Sequence, residues 1–395
     1  MVKGELILIT GGAGYIGSHI VKALLEKKRK VLVIDDLSAG HKEVLNLFLK
    51  LYGVKNLIFE KVNLLDEKKT KKVLNEINRK YRIAGVIDFA AKIAVGESQK
   101  KPREYFRVNV VGFKNLLMAT DSIPVVKSST AAVYGNPLEK DVPLKENLLE
   151  KIVRESRFKK NQLQPASVSF DTLIKWYNQE ISLEYPFLKL EDEDLKYLFI
   201  PGNIYGITKM VCEIMLEKFE NKTGRRYMAL RYFNAAGADK SGLIGEDHRP
   251  ETHLIPLVLK AALRKIKNIK IFGDDYNTKD GTCIRDYVSV IDLADVHVLA
   301  LDRLIKGGTS KTLNLGTNKG YTVREIIKFS EEITGRKIPV LIAGRREGDS
   351  PALIADARLV KKELGWQPKY GIEETISSAW KWHKNHPDGF GREGK

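Results

Sequence analysis

Short apolar runs and amphipathic stretches alternate along the first third of the chain. Residues 6–10, LILIT, form an apolar run rich in β-branched side chains, which predicts a buried strand. Apolar residues then recur at helical spacing through residues 16–24, and a second apolar run follows at residues 31–34. Strand, helix and strand in this order predict two parallel strands joined by a helix that packs on them.

The same alternation continues as far as residue 127. Further strands are predicted at residues 56–61, 85–89 and 124–127, with helices at residues 66–81 and 102–120. These elements predict an α/β fold with a doubly wound parallel sheet that is covered by helices on both faces. Ligands bind such sheets at the carboxyl ends of the strands, so the loops that follow the strands should line one crevice.

Glycines between the first strand and the first helix indicate what this crevice binds. Gly12, Gly14 and Gly17 have the spacing G-x-G-x-x-G, and Gly11 precedes them. In a turn from strand to helix, these glycines permit a tight turn, a close approach of the backbone to a pyrophosphate, and close packing of helix on strand. Asp35 ends the second strand, where a carboxylate binds the adenosine ribose hydroxyls. The complete unit predicts a Rossmann-type dinucleotide site.

The rhythm breaks between residues 147 and 200, where a basic run, a turn-like run and an aromatic-rich run with an acidic centre follow one another. This segment has too many apolar residues for a disordered linker, and we interpret it as a partly folded insertion on the surface. A helix at residues 202–222 and a strand at 227–231 resume the pattern. We expect residues 1–234 to form the dinucleotide-binding domain. Residues 235–395 should form mainly a smaller α/β substrate-binding domain, with some segments returning to the first.

Composition places the chain among ordinary globular proteins. It has 395 residues, of which 43% are hydrophobic and 30% charged. No apolar run approaches the roughly 20 residues of a membrane span, and the first strand begins too close to Met1 for a signal peptide. With only Cys212 and Cys283, the chain has no disulfide framework. We therefore expect a cytoplasmic protein without a membrane segment.

The net charge of +17 is compatible with nucleic acid, with an anionic substrate or with solvated helix faces. The lysines are scattered through predicted helices and loops and do not alternate with aromatic residues in one stripe. We therefore favour solvated helix faces and do not expect nucleic acid as a partner. The seven histidines show no metal-type cluster, since His383 and His386 lack companion ligands, and we expect no metal.

Reactive side chains occur in two stretches, SSTAAVYG at residues 128–135 and YGITK around Tyr205. Tyr205 and Lys209 are four residues apart and share one helix face. A free tyrosine is only about 0.1% phenolate at pH 7, and a close cation lowers its pKa by roughly one to three units. Lys209 and an oxidised nicotinamide ring would supply such cations, which makes Tyr205 a candidate general base. Tyr205 would take the proton of a sugar or alcohol hydroxyl, and the Thr130 hydroxyl can hydrogen-bond the oxygen of that same hydroxyl.

Together these motifs resemble the extended short-chain dehydrogenase/reductases, and within them the branch that epimerises UDP-hexoses at C4. The resemblance covers nearly the whole chain apart from residues 147–200. The matching stretches are TGGAGYIGSH, AVGES, SSTAAVYG, YGITK, LRYFNAAGA, HLIP, IFGDDYNTKDGTCIRDY, DLADVHV, NLGT, RREGD and ELGW.

The resemblance also implies roles for individual residues. The implied catalytic residues are Thr130, Tyr205 and Lys209. The implied NAD contacts are Gly11, Gly14, Tyr15, Ile16, Asp35, Asp36, Asn63, Leu64, Phe89, Ala90, Asn109, Ser128, Tyr205, Lys209 and Tyr232. The implied contacts to the UDP-hexose are Thr130, Asn234, His253, Leu254, Phe272, Arg285, Arg346, Asp349 and Leu353. Arg285 and Arg346 could equally form surface ion pairs with Asp286 and Glu347. A homodimer is expected as well.

The implied reaction interconverts UDP-glucose and UDP-galactose. Tyr205 removes the proton of the C4 hydroxyl while the C4 hydride moves to NAD, and a 4-keto sugar forms. The sugar rotates about its bond to the diphosphate and takes the hydride back on its other face. Because no net oxidation occurs, NAD should stay bound as a prosthetic group.

Four positions depart from the family's usual pattern. The usual lysine aligns with Ile93, and this chain has its lysine one place earlier, at Lys92. Asn63 replaces an aspartate beside the adenine, and Ile204 replaces a proline before the catalytic tyrosine. Leu353, of intermediate size, takes the gate position beside the sugar, which leaves acceptance of UDP-N-acetylglucosamine and UDP-N-acetylgalactosamine open.

The same residues bear on three other functions that this fold can carry. A 4,6-dehydratase needs a carboxylate pair directly after Thr130, where this chain has Ala131 and Ala132. A UDP-glucuronate 4-epimerase or decarboxylase would need a further cation for the sugar carboxylate, and this alternative stays open. A non-catalytic NAD-binding regulator is disfavoured by the presence of both Tyr205 and Lys209.

Overall fold

The computed structural model describes residues 4–157, 168–346 and 349–391. The strands are β1 (Gly4–Thr10), β2 (Val31–Asp35), β3 (Leu57–Lys61), β4 (Tyr81–Asp88), β5 (Val125–Thr130), β6 (Tyr227–Tyr232), β7 (Asn234–Ala236), β8 (Ile269–Phe272), β9 (Ile284–Arg285), β10 (Tyr287–Ser289), β11 (Lys311–Leu315), β12 (Tyr321–Thr322), β13 (Val340–Ala343) and β14 (Ala352–Leu353). The helices are α1 (Tyr15–Glu26), α2 (Lys42–Tyr52), α3 (Glu67–Lys80), α4 (Val95–Lys100), α5 (Pro102–Phe106), α6 (Gly112–Thr120), α7 (Leu148–Arg154), α8 (Phe170–Tyr177), α9 (Asp192–Leu198), α10 (Ile204–Thr223), α11 (Leu254–Ala262), α12 (Val290–Ile305), α13 (Val323–Thr334), α14 (Arg358–Leu364) and α15 (Ile372–Asn385).

Seven parallel strands form the central sheet in the order β11-β6-β5-β4-β1-β2-β3. Ile7 lies opposite Val31 across β1 and β2, and Leu8 lies opposite Val86 across β1 and β4. All four side chains are buried, because helices cover both faces of the sheet. The predicted α/β fold with a doubly wound parallel sheet is therefore confirmed.

The helices begin and end near their predicted bounds, with one difference. The predicted helix at residues 102–120 is divided into α5 and α6 by a π-helical turn, Arg107–Val111. Such turns inside helices occur frequently at functional sites, and this one contains Asn109. None of the described helices is long and apolar enough to cross a membrane.

Two late segments return to the central sheet. Strand β11 pairs with β6 at its edge, and α12 packs beside α1, where Leu293 and Leu301 share a core with Ile7 and Ile9. A second, smaller core lies among α11, α13 and α15. Beside it, β8 and β13 form a separate parallel pair.

Residues 147–200 are more deeply integrated than we expected. Their described part forms α7, α8 and α9, and Leu173, Tyr177 and Ile181 are buried in the same core as α10. The ring of Trp176 packs against Phe106, with ring centroids 5.9 Å apart. Our interpretation of the segment as a surface insertion is therefore wrong for its apolar residues. Its predicted basic and turn-like runs extend into residues 158–167, which lie outside the described residues.

This packing predicts that one side chain of the segment stabilises the whole protein. Ile181 is 0% exposed, and replacing it with alanine leaves a cavity in the core. We expect Ile181→Ala to lower the free energy of unfolding by roughly 2–5 kcal/mol, seen as a lower thermal midpoint. Leu183, two residues further along the chain, is 78% exposed. Leu183→Ala should therefore change the free energy of unfolding by less than about 0.5 kcal/mol. Equal effects of the two changes would show that the segment is not part of the core.

Candidate active site

The glycine turn joins β1 to α1 with no space for side chains. Gly11 has φ +69°, and a Cβ atom there would lie 2.8 Å from backbone atoms of Phe89 and Ala90. A Cβ atom on Gly17 would lie 2.2 Å from the Gly11 carbonyl oxygen. Helix α1 begins directly after Gly14. The turn therefore leaves the first N–H groups of the helix at the carboxyl edge of the sheet, the arrangement that binds a pyrophosphate.

Asp35 holds this turn against the end of β2. Its Oδ2 accepts a hydrogen bond from the Ala13 N–H at 3.0 Å, and its Oδ1 accepts one from the Leu37 N–H at 2.8 Å. Burial raises the pKa of the carboxyl group, while the two N–H donors lower it. The structure thus fixes a carboxylate where the sequence predicted the ribose contact.

Asn63 contacts Asp36 beside this carboxylate. The Asn63 side-chain amide donates to Asp36 Oδ2 at 3.0 Å, and Asn63 Oδ1 accepts from the Leu65 N–H at 2.9 Å. An aspartate at position 63 would place two carboxylates at this distance, and they would repel each other. The departure from the family pattern therefore gives a neutral contact in the predicted adenine region. Leu64, the next predicted contact, is buried in the core.

The loop after β4 is fixed to α10 by Asn109. Its side-chain oxygen accepts from the Lys92 N–H at 2.8 Å, and its amide donates to the Lys92 carbonyl and to Thr208 Oγ1, both at 3.0 Å. The Lys92 ammonium lies 2.9 Å from Glu104, while Ile93 is exposed. Asn109 therefore shapes the loop through the backbone of Lys92, so this contact does not depend on which residue carries the lysine side chain.

Thr130, Tyr205 and Lys209 come together at the carboxyl end of β5. Thr130 ends the strand, and the Tyr205 phenol lies within hydrogen-bonding reach of its hydroxyl. The Lys209 ammonium donates to the Ser128 carbonyl oxygen at 2.9 Å and contacts Ser128 Oγ at 3.1 Å. It also lies 5.8 Å from the centre of the Tyr205 ring. Asn203 caps α10 by accepting from the Gly206 N–H, which sets the first turn of the helix.

The acidity of Tyr205 differs from our expectation. Burial raises its pKa to about 12, and the hydrogen bond with Thr130 opposes this rise. Burial also lowers the pKa of Lys209 to about 7. Lys209 does not supply the predicted charge to a phenolate that forms only near pH 12, because Lys209 loses its proton well below that pH. With a pKa of about 12, only about 0.001% of Tyr205 is phenolate at pH 7, so the base needs a further positive charge beside it.

A group of rings that the sequence reasoning partly missed lies next to this site. Phe89 and Tyr232, both predicted cofactor contacts, lie 4.9 and 6.0 Å from His297 between ring centroids. His297 Nδ1 contacts the Leu293 carbonyl at 2.7 Å, and burial lowers the pKa of His297 to about 4. The neutral His297 thus packs Phe89 and Tyr232, and its place in α12 gave no signal for this role.

Other predicted cofactor residues lie on both sides of the glycine turn. Tyr15 donates from its hydroxyl to the Gly237 carbonyl at 2.7 Å. Ile16 packs against the core beneath α1. The Ala90 N–H donates to Asp88 Oδ1 at 3.2 Å, so the loop after β4 is held to its own strand.

Arg285 in β9 is held by three acceptors. It donates to the carbonyl oxygens of Ile284 at 2.9 Å and Ser350 at 2.8 Å, and to Asp349 Oδ1 at 3.2 Å. The alternative pairing with Asp286 is wrong, because the Asp286 carboxylate accepts hydrogen bonds from the backbone and hydroxyl of Thr317 and from the Ala355 N–H. Arg285 and Asp349, both predicted substrate contacts, thus lie together.

The two neighbouring arginines Arg345 and Arg346 are in different environments. Arg345 pairs with Asp275 at 2.7 Å. The guanidinium of Arg346 lies 3.8 Å from the centre of the Phe272 ring. This stacking brings together two predicted substrate contacts, Phe272 and Arg346, and holds the plane of the guanidinium against the ring. The alternative partner Glu347 lies outside the described residues.

The remaining predicted substrate residues lie at the ends of short elements. The Asn234 amide donates to the Asp286 carbonyl at 3.1 Å. Leu353 in β14 pairs with Arg285 in β9 and packs against the core that contains Tyr205. Leu254 begins α11, and His253 is its N-cap. Backbone pairing therefore places the gate residue and the predicted diphosphate arginine side by side.

The expectation that the histidines show no metal-type cluster is wrong, whereas the expectation of no bound metal stays a prediction. Glu246, His248, Glu251 and His253 each offer an atom suited to bind a metal ion, and these four atoms lie within 4.8 Å of one another. Their spacing, E-x-H-x-x-E-x-H, was visible in the sequence, but only the loop before α11 shows that the side chains converge. Glu246 raises the pKa of His253 to about 10, against the opposing effect of burial.

Comparison with known proteins agrees with this geometry. A family model described as GDP-mannose 4,6 dehydratase matches residues 8–150 and 191–379. The UDP-glucose 4-epimerase of Halalkalibacterium halodurans is 40% identical over 393 residues, which covers 98% of each chain. That of Lactobacillus helveticus is 39% identical, covering 97% of this chain and 98% of the relative.

Solved structures give the same result. The UDP-glucose 4-epimerase from Brucella ovis, in complex with NAD, is 36% identical, with a TM-score of 0.76 and coverage of 95% of this chain and 98% of that chain. The enzyme from Bifidobacterium longum, in complex with NAD+ and UDP, is 32% identical, with a TM-score of 0.78 and coverage of 97% and 99%. The chain therefore belongs to the UDP-glucose 4-epimerase family, a branch of the extended short-chain dehydrogenase/reductases.

Proposed function

We propose that this protein interconverts UDP-glucose and UDP-galactose by transient oxidation at C4, with NAD as a permanently bound cofactor. The observation that carries the proposal is the convergence of Thr130, Tyr205 and Lys209 at the sheet edge that also holds the glycine turn. The UDP-glucose 4-epimerases of Halalkalibacterium halodurans and Lactobacillus helveticus match this chain over nearly its whole length.

The residues at the sheet edge fit NAD. The turn at Gly11 and Gly17 has no space for a side chain, as a pyrophosphate site requires. Asp35 presents a buried carboxylate for the ribose hydroxyls, and Lys209 is fixed by Ser128 beside Tyr205. When bound, NAD takes the C4 hydride and returns it.

The chain itself supplies the proton transfer. Tyr205 accepts the proton of the C4 hydroxyl, with Thr130 positioned to hydrogen-bond the same oxygen, and Tyr205 returns the proton when the sugar is reduced again. Burial, opposed in part by the hydrogen bond with Thr130, raises the Tyr205 pKa to about 12, so the reaction depends on positive charge near the phenol. When bound, oxidised NAD would supply such charge beside the phenol, and Tyr205 would then be able to take the proton of the C4 hydroxyl.

Arg285 and Arg346 are the proposed ligands of the diphosphate. Planar guanidinium groups pair with phosphate oxygens through two N–H groups. Arg285 lies next to Leu353, the gate residue, so the diphosphate and the sugar would be neighbours along β9 and β14.

The family model's own description, a dehydratase, is not the activity that we propose. Ala131 and Ala132 follow Thr130 and carry no acid or base for loss of water from the sugar. A UDP-glucuronate 4-epimerase remains the second candidate, and its substrate serves as a control below. We further propose a cytoplasmic homodimer, and the two cysteines, both unpaired and buried, suit a reducing compartment.

Product analysis tests the proposal. The purified protein, without added NAD, is given UDP-glucose, UDP-N-acetylglucosamine and UDP-glucuronate in separate reactions, and the 4-epimers are separated by chromatography. We expect UDP-galactose from UDP-glucose. The reaction with UDP-N-acetylglucosamine shows whether Leu353 leaves space for an N-acetyl group. Product from UDP-glucuronate alone would replace the proposal with the second candidate.

A further inference from the structure

The loop before α11 brings together two carboxylates and two imidazoles that the proposed reaction does not use as a group. We propose that Glu246, His248, Glu251 and His253 form a binding site for a divalent transition-metal ion of the Zn²⁺ type. One atom from each residue lies within 4.8 Å of the other three. Two imidazoles and two carboxylates are a ligand set that Zn²⁺ binds with tetrahedral geometry.

The distances among these atoms are close to those of such a site. Two ligands at roughly 2.1 Å from a tetrahedral ion lie about 3.4 Å from each other. Glu246 Oε1 lies 2.6 Å from His253 Nδ1 and 3.2 Å from His248 Nδ1. His248 Nδ1 lies 3.9 Å from Glu251 Oε2. Because these separations run from 2.6 to 3.9 Å, binding one ion would require shifts of up to about 0.8 Å, the largest of them between Glu246 and His253.

The hydrogen bonding of the cluster is incomplete without an ion. Glu246 Oε1, His248 Nδ1 and Glu251 Oε2 are buried and make no hydrogen bond of acceptable geometry within the described residues. The side chains of Glu246 and Glu251 are each only 3% exposed. Buried carboxylates need a nearby positive charge, and at this cluster either a bound cation or a proton on His253, 2.6 Å from Glu246 Oε1, would supply it.

Glu251 is already oriented for coordination. Its Oε1 accepts hydrogen bonds from the N–H groups of Thr252 at 2.7 Å and His253 at 2.8 Å. These bonds hold the carboxylate in place and leave Oε2 directed at His248. Such supporting hydrogen bonds are what orient the ligands of known metal sites.

The charge of the cluster also favours a divalent cation. Two carboxylates with two neutral imidazoles carry a charge of −2, which one divalent ion cancels. Nitrogen ligands argue against Mg²⁺ or Ca²⁺, since both prefer oxygen. The competing possibility is that protons on the imidazoles balance the carboxylates, and the experiment below separates the two.

The site would join parts of the protein that bind different ligands. The ring of His248 lies 5.9 Å from that of Tyr15 in α1, and His253 caps α11, where the predicted substrate contact Leu254 begins. Because all four coordination positions are taken by side chains, the ion would be structural rather than catalytic. Coordination through Nδ1 would leave Nε2 of His253 as an N–H donor, fixing its tautomer.

Titration with Co²⁺ tests this proposal, because tetrahedral Co²⁺ absorbs visible light and reports its ligands. Untagged protein is treated with a chelator, dialysed and titrated. We expect saturable binding of one ion per chain, displacement by Zn²⁺, and a higher thermal midpoint with either ion. His248→Gln and Glu251→Gln should each weaken binding at least tenfold, and the matched change His386→Gln should leave it unaltered.

Two results would overturn the site. The first is that the native protein binds no ion with one-to-one stoichiometry, which would leave protonated imidazoles as the balancing charge. The second is that Co²⁺ binding survives both His248→Gln and Glu251→Gln. If circular dichroism shows that a variant is unfolded, the titration of the native protein still decides. None of these readouts depends on epimerase activity.

Discussion

Replacing Tyr205 with phenylalanine is expected to lower kcat for UDP-glucose epimerisation by roughly 10³-fold, within the usual range for loss of a general acid–base. Tyr205 is the buried phenol beside Thr130, and phenylalanine keeps the ring while removing the oxygen that exchanges the proton. The substitution removes no hydrogen bond to the glycine turn or to Asp35. We therefore expect the variant to fold and to keep its bound NAD.

Tyr197→Phe serves as the matched control, because Tyr197 lies in α9, outside the site. The control variant should retain native kcat. Activity is measured by chromatography of the 4-epimers, and bound NAD by its release on denaturation. A Tyr205→Phe enzyme with native activity would remove Tyr205 from the mechanism, and one that has lost NAD as well would show a structural role instead.

Replacing Gly17 with alanine is expected to empty the cofactor site. The added Cβ atom would lie 2.2 Å from the Gly11 carbonyl oxygen, a backbone atom that cannot move without opening the turn. Overlaps of this kind cost about 1–3 kcal/mol or more, which weakens NAD binding tenfold or more if the strain falls on the turn. The purified variant should contain less NAD than the native protein, and added NAD should restore part of its activity.

A second glycine, outside the turn, serves as a control for the effect of a glycine-to-alanine change on NAD binding. Gly371 caps α15 with φ −75°, and a Cβ atom there would come no closer than 3.8 Å to the flexible side chain of Glu374. Gly371→Ala should keep the native NAD content. If Gly17→Ala also kept its NAD at the native level, the glycine turn would not be the cofactor site.

Local sequence patterns predicted most strands of the central sheet and, together with the family resemblance, the candidate catalytic group at its edge. Apolar runs of strand length identified β1 and β2, because parallel strands covered on both faces need apolar residues at every position. Thr130 and Tyr205 were found for a similar reason. Thr130 follows a predicted strand and Tyr205 lies in the first turn of a predicted helix, so their approach follows from the order of elements rather than from side-chain packing.

Features that depend on packing between distant segments could not be predicted in this way. The burial of Ile181 requires knowing which face of α10 the 147–200 segment covers. Burial raises the pKa of Tyr205 and lowers that of Lys209, and how completely each is buried is not encoded in the Y-x-x-x-K spacing. Likewise, only the folded loop shows that Glu246 and His253 face each other.

The central claim is that the C4 hydride leaves the sugar and returns to the same carbon within one site. UDP-glucose that carries deuterium at C4 tests this directly when it is incubated in ordinary water with the protein as purified and without added NAD. We predict UDP-galactose that retains its deuterium at C4, measured by mass spectrometry and NMR. Product that has exchanged its deuterium for solvent hydrogen, or no product until NAD is added, would contradict the account.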